Sequence, residues 1–173
     1  MKKNSFFNMV KYSSKINLIN KSEDISWVVV FQGIYQEELG ISEIGEWIFW
    51  NKKDYYPLNK KKMYLYSVKL LEYSYDTIEK QLYRRFDFII KNKEISIFEI
   101  FPFFEIVEFV FEYMNNEYWF ELAWLWYEHL SFLDKYRLVG LLEKISSNKK
   151  FSQKNRQKVR KEINFNNKKS STS

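Results

Sequence analysis

The sequence predicts an all-α fold, a single compact domain of about six to eight helices. Apolar residues recur at the spacing of one helical face along much of the chain. Only four glycines and two prolines interrupt the 173 residues, and the apolar residues, 46% of the total, are ample for one core. A chain of this length also fits one domain, because domains most often hold about 100 to 150 residues.

The predicted domain spans residues 22–147. Residues 1–21 are polar and weakly periodic, so we expect a loosely ordered lead-in there. After residue 147 the composition changes to Ser, Asn, Lys and Gln. Residues 148–173 are therefore predicted to form a basic, partly disordered tail, in which residues 152–163 could make one more helix.

Two helices are predicted before residue 51. The first runs from residue 27 to residue 39, where apolar side chains recur at i, i+4 and i+7 and Gly40 ends the helix. The valine run 28–30 also fits a strand. A short second helix is predicted over residues 43–50, and a polar loop over residues 51–61 follows it.

The segment 63–73 fits either a helix or a strand with its tyrosines on one side. We favour the helix, and a strand near 63–73 would make the fold α+β. The remaining helices follow from apolar periodicity and from capping residues at their starts. They are predicted at residues 76–90, 102–114, 117–130 and 132–145.

Residues 94–134 have an unusual composition. They contain nine acidic residues, fourteen aromatic residues and no lysine or arginine. Carboxylates on a solvated face are normally interleaved with opposite charge, and aromatic side chains normally enter the core. A segment rich in both predicts a surface that receives a cationic partner.

The glutamates of this segment form two stripes, one on each predicted helix. Their spacing is i, i+3, i+7 on the first helix and i, i+4, i+11 on the second. Like charges three or four residues apart destabilise a helix by about 0.2 to 0.5 kcal/mol per pair, so we expect a compensating cation from the fold or from a partner. The stripes consist of Glu105, Glu108 and Glu112, and of Glu117, Glu121 and Glu128.

Aromatic residues are predicted to stand among these glutamates as interface anchors, and they are Phe109, Phe120 and Trp124. The opposite face of the second helix is predicted to be core and holds Trp119, Leu122, Trp126 and Leu130. In the alternative, this helix is buried and its glutamates pair with cations inside the fold. The candidate cations are Arg84, Arg85, Lys135 and Arg137, together with those of a tail that folds back over the helices.

The basic charge of the chain belongs to its tail. Residues 148–173 contain nine basic residues and one acidic residue, whereas residues 1–147 contain nineteen basic and twenty-one acidic residues. A basic arm can neutralise the phosphates of nucleic acid. The tail cations predicted to do so are Lys149, Lys150, Lys154, Arg156, Lys158, Arg160 and Lys161.

The sequence contains no signature of catalysis. His129 is the single histidine and there is no cysteine, so a hydrolytic triad or a thiolate zinc site lacks its residues, and we expect no enzymatic activity, metal or cofactor. The apolar stretch 95–114 contains Pro102 and four glutamates, so no membrane-spanning helix is predicted. The absence of cysteine fits a cytoplasmic protein.

In overall character the chain is similar to the small immunity proteins of bacterial toxin systems, such as those of contact-dependent growth inhibition. The resemblance rests on a compact domain without a catalytic set and on the acidic, aromatic segment 94–134. It implies a cytoplasmic protein that binds one cognate toxin domain, often a basic nuclease, and neutralises it by covering its active site or a substrate surface. The competing expectation is a nucleic-acid-binding or regulatory protein that acts through the tail.

Overall fold

A computed structural model describes residues 19–21, 26–90 and 96–170. It contains an antiparallel sheet followed by helices, so the fold is α+β and the prediction of an all-α fold is wrong. The chain divides into two compact units, a sheet unit that ends at Pro102 and a helical unit that begins at Phe103. The predicted lead-in lies outside the described residues, except for the short strand at its end.

Five strands form the sheet, and each one pairs with the next along the chain. They are β1 (Ile19–Lys21), β2 (Ser26–Gln32), β3 (Glu38–Ser42), β4 (Trp47–Trp50) and β5 (Tyr55–Pro57). Val28 lies opposite Ile41 in the β2–β3 pair, and Gly40 lies opposite Ile48 in the β3–β4 pair. Pro57 ends the edge strand β5, where a residue without a backbone N–H is tolerated.

The two helices predicted before residue 51 are strands and turns. The run SWVVVFQ forms β2, and its residues from Trp27 to Phe31 are all buried. A strand that is buried on both faces shows no alternation of apolar and polar residues, so its pattern resembles a helical face. Gly40 lies inside β3 and does not end a helix, and a Cβ on it would come within 2.7 Å of the Val28 carbonyl oxygen.

Among the described residues of the sheet unit, three helices accompany the strands. A 3₁₀ helix (Lys61–Glu72) buries Tyr64, Val68 and Leu71, so the strand alternative near 63–73 is also wrong. The helix α1 (Tyr75–Ile90) packs against β2 and buries Ile78, Leu82 and Phe86. The short helix α2 (Ile97–Ile100) begins with a capping box between Ser96 and Glu99.

Five helices form the helical unit. They are α3 (Phe103–Tyr113), α4 (Glu117–Tyr127), α5 (Phe132–Arg137), α6 (Val139–Ser147) and α7 (Gln153–Ser170). The side chain of Asn116 caps α4 and that of Ser131 caps α5. The predicted helices 102–114 and 117–130 are present, whereas the predicted helix 132–145 is two helices that meet at Leu138.

The basic tail forms the helix α7, which extends well beyond residue 163, where we expected the helix to end. It packs against α6 and buries Phe151, Asn155, Val159 and Asn166. Within the described residues, none of the helices is both long enough and apolar enough to cross a bilayer.

Candidate functional site

The helix α4 has a buried face and an open face along its length. The buried face consists of Phe120, Ala123, Trp124, Trp126 and Tyr127. The open face consists of Tyr118, Glu121, Leu122, Leu125 and the capping residue Glu128, which are exposed except for the half-buried Leu122. At 100 degrees per residue these five side chains fall within about 120 degrees of one another, so they form one continuous surface.

The three aromatic residues predicted to be anchors are in the core. Phe109, Phe120 and Trp124 are 4%, 1% and 3% exposed, so the prediction that they project among the glutamates is wrong. The rings of Phe120 and Phe151 lie 5.2 Å apart between their centroids. Because Phe151 lies two residues before the start of α7, the tail covers the strip of α4 that was expected to be exposed.

The residues predicted to be the core of α4 are only partly buried. Trp126 and Leu130 are buried as predicted, but Trp119 and Leu122 are half-buried. The buried face is therefore rotated around the helix relative to the prediction. The cause is that α4 contacts two other helices of the unit. The helix α3 packs on α4, and α7 covers a further side of it.

Polar groups of the tail meet the glutamates at the start of α4. The backbone N–H of Ser152 donates a hydrogen bond to the Glu117 carboxylate, and the Asn155 side-chain amide donates to the same carboxylate at 3.3 Å. The same amide lies 3.4 Å from Oε1 of Glu121. The pKa of Glu117 is lowered, mainly because the Ser152 backbone N–H stabilises the charged form.

Further along α4, one lysine of the tail meets both a glutamate and an indole ring. The Lys158 ammonium lies 3.8 Å from the Glu128 carboxylate and 4.5 Å from the centre of the Trp124 ring. The Trp124 indole N–H donates to Glu128 at 2.8 Å. The chain itself therefore supplies the cation that the second glutamate stripe was expected to need.

The first glutamate stripe lies on α3. Glu105 and Glu108 are half-buried and Glu112 is exposed. Three of the cations that were candidates for pairing with the glutamate stripes make the following contacts. Lys135 donates to the backbone carbonyl of Glu128 at 2.9 Å, Arg137 pairs with Asp134 at 3.1 Å, and the guanidinium of Arg85 lies 3.5 Å from the Val29 carbonyl oxygen.

Some cations of the tail contact other parts of the helical unit, and others are exposed to solvent. Arg160 donates to the backbone carbonyl of Ser146 at 3.1 Å, and Arg156 is half-buried. Lys149 and Lys150 are exposed at the turn before α7. On α7, Lys154, Lys158, Lys161 and Phe165 are exposed at i, i+4, i+7 and i+11, and they line an open groove of about 560 Å³ above Trp124.

The open face of α4 presents apolar side chains beside carboxylates. Tyr118 is 53% exposed and Leu125 is 55% exposed, and Glu121 and Glu128 lie along one edge of the same face. Such a surface gains free energy when a partner covers the apolar groups and brings cations to the carboxylates. Sequence reasoning did not identify Tyr118 and Leu125. The signal that could have identified them is the basic tail, because a tail that docks on one side of α4 leaves the opposite side exposed.

Among the residues that the structure describes, no group of three or more His, Asp or Glu side chains is placed to hold a metal ion. No known protein family, curated protein or solved structure matches the chain. The open face of α4 and the exposed side of α7 are the candidate binding surfaces of the helical unit.

Proposed function

We propose that this protein binds a cognate toxin domain and neutralises it in the bacterial cytoplasm, as the immunity proteins that it resembles do. The open face of α4 supports the proposal, since Tyr118 and Leu125 are exposed beside Glu121 and Glu128. Its partner is a cationic protein surface. Covering that surface would block the active site or the substrate site of the toxin.

The carboxylates guide the partner and the apolar side chains hold it. The exposed carboxylates of Glu112, Glu121 and Glu128 supply the negative charge of this part of the helical unit, and Lys158 neutralises part of it at Glu128. The resulting field raises the association rate of a cationic partner, most strongly at low salt. Tyr118 and Leu125 then become buried, and a buried aromatic or aliphatic anchor at the centre of an interface commonly contributes about 2 kcal/mol or more.

Co-expression with a toxin domain encoded by a neighbouring reading frame tests this proposal, and the absence of such a reading frame would count against it. The toxin domain is produced in a bacterial host with and without this protein, and growth and the dissociation constant of the purified pair are measured. We expect wild-type protein to restore growth. Truncating both anchors, Tyr118→Ala and Leu125→Ala, is expected to weaken binding by at least about 100-fold, because two hot-spot residues are lost.

The chain offers a matched control for the two anchors. Tyr136 and Leu133 are also an exposed tyrosine and leucine, but they lie on α5. The double variant Tyr136→Ala and Leu133→Ala should bind as wild type does. Equal affinity of the Tyr118/Leu125 variant and wild type would exclude the open face, and failure to protect against any toxin encoded next to the gene would overturn the function.

Reversal of charge tests the steering role. Glu121→Lys places a cation at the glutamate edge of the open face, whereas Glu143→Lys makes the same change at an exposed position of α6. We expect the first variant to lower the association rate and to flatten its dependence on salt, since the favourable field is weakened. The second variant should change the rate much less.

A second function, nucleic-acid binding through α7, is favoured by one observation. Lys154, Lys158 and Lys161 form an exposed row with Phe165, and the row faces the open groove. Lysines at this spacing can follow a phosphate backbone, and an exposed ring can stack on a base. The apolar anchors of α4 take no part in this function, so the two functions are separable.

Fluorescence anisotropy with a labelled single-stranded DNA 20-mer separates them. If α7 binds nucleic acid, Lys154→Gln with Lys161→Gln should weaken binding and reduce the salt slope by about 0.7 per lost phosphate contact. Lys60→Gln with Lys80→Gln, exposed lysines of the sheet unit, is the control. A toxin complex that tolerates the α7 substitutions while DNA binding is undetectable would exclude this second function.

A further inference from the structure

The sheet unit contains a pocket of about 360 Å³ that the toxin-binding proposal does not use. It lies where the β2–β3 turn, the β4–β5 turn and the 3₁₀ helix meet, and its walls include the rings of Tyr35, Phe49 and Tyr66. This volume lies within the range of about 300 to 1,000 Å³ that is typical of small-molecule sites.

Three aromatic rings line the pocket, and they differ in their exposure and in their contacts. Phe49 is a buried residue of β4, and Tyr35 is 67% exposed at the tip of the β2–β3 turn. The ring of Tyr66 stacks on that of Tyr56 at 3.7 Å with an angle of 10 degrees between the planes, so its position is fixed. Rings of this kind present a negative π face, which attracts cations within about 6 Å of the ring centre.

Glu37 supplies a carboxylate that is held in place. The Tyr73 hydroxyl donates a hydrogen bond to Oε1 of Glu37 at 2.5 Å, and the Ile34 backbone N–H donates to the Tyr73 oxygen at 2.8 Å. Burial and the hydrogen bond to Glu37 raise the pKa of Tyr73 to about 12, so the phenol stays protonated at neutral pH. Gly33 permits this arrangement, because a Cβ there would lie 2.5 Å from the Tyr73 oxygen.

The other carboxylate oxygen of Glu37 lacks a donor. Oε2 of Glu37 is buried, and no group within the described part of the chain donates a hydrogen bond to it. A buried oxygen without a donor costs about 1 to 3 kcal/mol, and more if it is charged. A cation in the pocket would offset part of this cost through its charge.

The backbone around the pocket is strained. Gln36 and Lys52 have φ angles of 66 and 79 degrees, and they are the non-glycine residues with positive φ in the described part of the chain. Gln36 adjoins Tyr35 and Glu37, and Lys52 lies at the pocket itself. Left-handed conformations cost most side chains about 1 to 2 kcal/mol, and such strain is concentrated at functional sites.

We propose that this pocket binds a guanidinium or ammonium group, with Glu37 as its counterion and the rings of Tyr35 and Tyr66 against its faces. Lys52 and Lys69 also line the pocket. Both are exposed, so their ammonium groups can turn into solvent, where water and salt screen them. Glu37 is half-buried and held by Tyr73, so its charge is screened less by water and salt than the charges of the exposed lining residues.

Titration with N-acetyl-L-arginine amide tests the site. Its side chain carries a guanidinium, while N-acetyl-L-citrulline amide has nearly the same shape and no charge. Backbone amide NMR shifts of the full-length protein are followed. We expect the arginine compound to shift residues 33–37 and 51–54 in a saturable manner and the citrulline compound to be at least about tenfold weaker, which is 1.4 kcal/mol.

Variants test the counterion and the ring. Glu37→Gln is expected to weaken binding at least about tenfold. The exposed Glu43 lies in the β3–β4 turn, at the opposite end of the sheet, so Glu43→Gln is the matched control. Tyr35→Ala removes a ring that is largely outside the core, so it should weaken binding while the fold is kept, even if Glu37→Gln disturbs the turn.

The source of the cation is distinguished by a second series. Free L-arginine that binds more tightly than the capped amide indicates a small amino acid, because Lys52 and Lys69 then meet its carboxylate. A Gly-Arg-Gly peptide that binds at least as tightly indicates an arginine on a protein. Equal binding of the citrulline compound, unchanged binding to Glu37→Gln and Tyr35→Ala, or no shift up to about 20 mM, where a millimolar site saturates, would overturn the proposal. None of these results depends on the toxin.

Discussion

The two sides of α4 both carry large aromatic or aliphatic side chains but meet different neighbours. On the buried face, Phe120 and Trp124 lie under the tail and are almost fully covered. On the open face, Tyr118 and Leu125 remain more than half exposed beside Glu121 and Glu128. An acidic, aromatic helix therefore does not define a binding surface by composition alone, since one side is satisfied within the fold and only the other is available to a partner.

The contact between α7 and α4 is polar as much as apolar. The tail buries Phe151 and Val159, but also Asn155 and Asn166, along one side of α7. The Asn166 amide donates to the Tyr127 hydroxyl oxygen at 3.2 Å. Buried amides of this kind stabilise a contact only while their hydrogen bonds are made, so the docking of α7 is specific in register.

The largest effect is expected from a charge in the middle of the tail contact. Val159 is fully buried, so Val159→Asp buries a carboxylate and should destabilise the helical unit by about 3 kcal/mol or more. Urea unfolding of the full chain, followed by tryptophan fluorescence, measures the change. The transition of Trp124 and its neighbours should move to lower urea concentration.

The control for this substitution lies two residues earlier. Gln157 is exposed on α7, so Gln157→Asp adds the same charge to the same helix without burying it. Its effect on stability is expected to stay within about 0.5 kcal/mol. Equal unfolding curves for Val159→Asp and Gln157→Asp would mean that the tail does not dock on the helical unit in solution.

A smaller effect is expected from the amide that joins the tail to two glutamates. Asn155→Ala removes the donor that contacts Glu117 and Glu121 and should cost about 1 to 2 kcal/mol of unfolding free energy. Asn164→Ala, at an exposed position of α7, is the control, because alanine improves helix propensity equally in both variants. If the two variants unfold alike, these hydrogen bonds contribute nothing measurable.

The helices after residue 75 were predictable because local signals agree with their packing. Apolar periodicity is regular there, and Asn116 and Ser131 cap the helices that they precede. The strands were not predictable in this way. In β2 the apolar run is buried on both faces, so the pattern that separates a strand from a helix is absent.

The candidate site was half predictable. The glutamates of α4 and the basic tail were both visible in the sequence, and so was the need for a cation near the stripe. A tail that folds back over the helices was one of the predicted alternatives, but its register was not predictable, because it depends on Asn155 and Asn166, which composition alone assigns to a solvated tail. If the docking of α7 is ignored, the helical wheel of α4 places Phe120 and Trp124 on the exposed face and Leu122 in the core.

The smallest effect is expected on the stability of the protein at acidic pH. The pKa of Glu117 is lowered in the folded protein, mainly by the hydrogen bond from the Ser152 backbone, so the folded state binds fewer protons than the unfolded state near this value. The stabilisation is complete above the ordinary pKa of a glutamate carboxyl and disappears as the pH falls through the lowered value. The stability difference between wild type and Glu117→Gln should therefore shrink as the pH is lowered, while Glu143→Gln serves as the exposed control. A difference that stays constant across the acid range would show that the tail does not hold Glu117 in its charged form, and the asymmetry between the two sides of α4 would then rest on apolar packing alone.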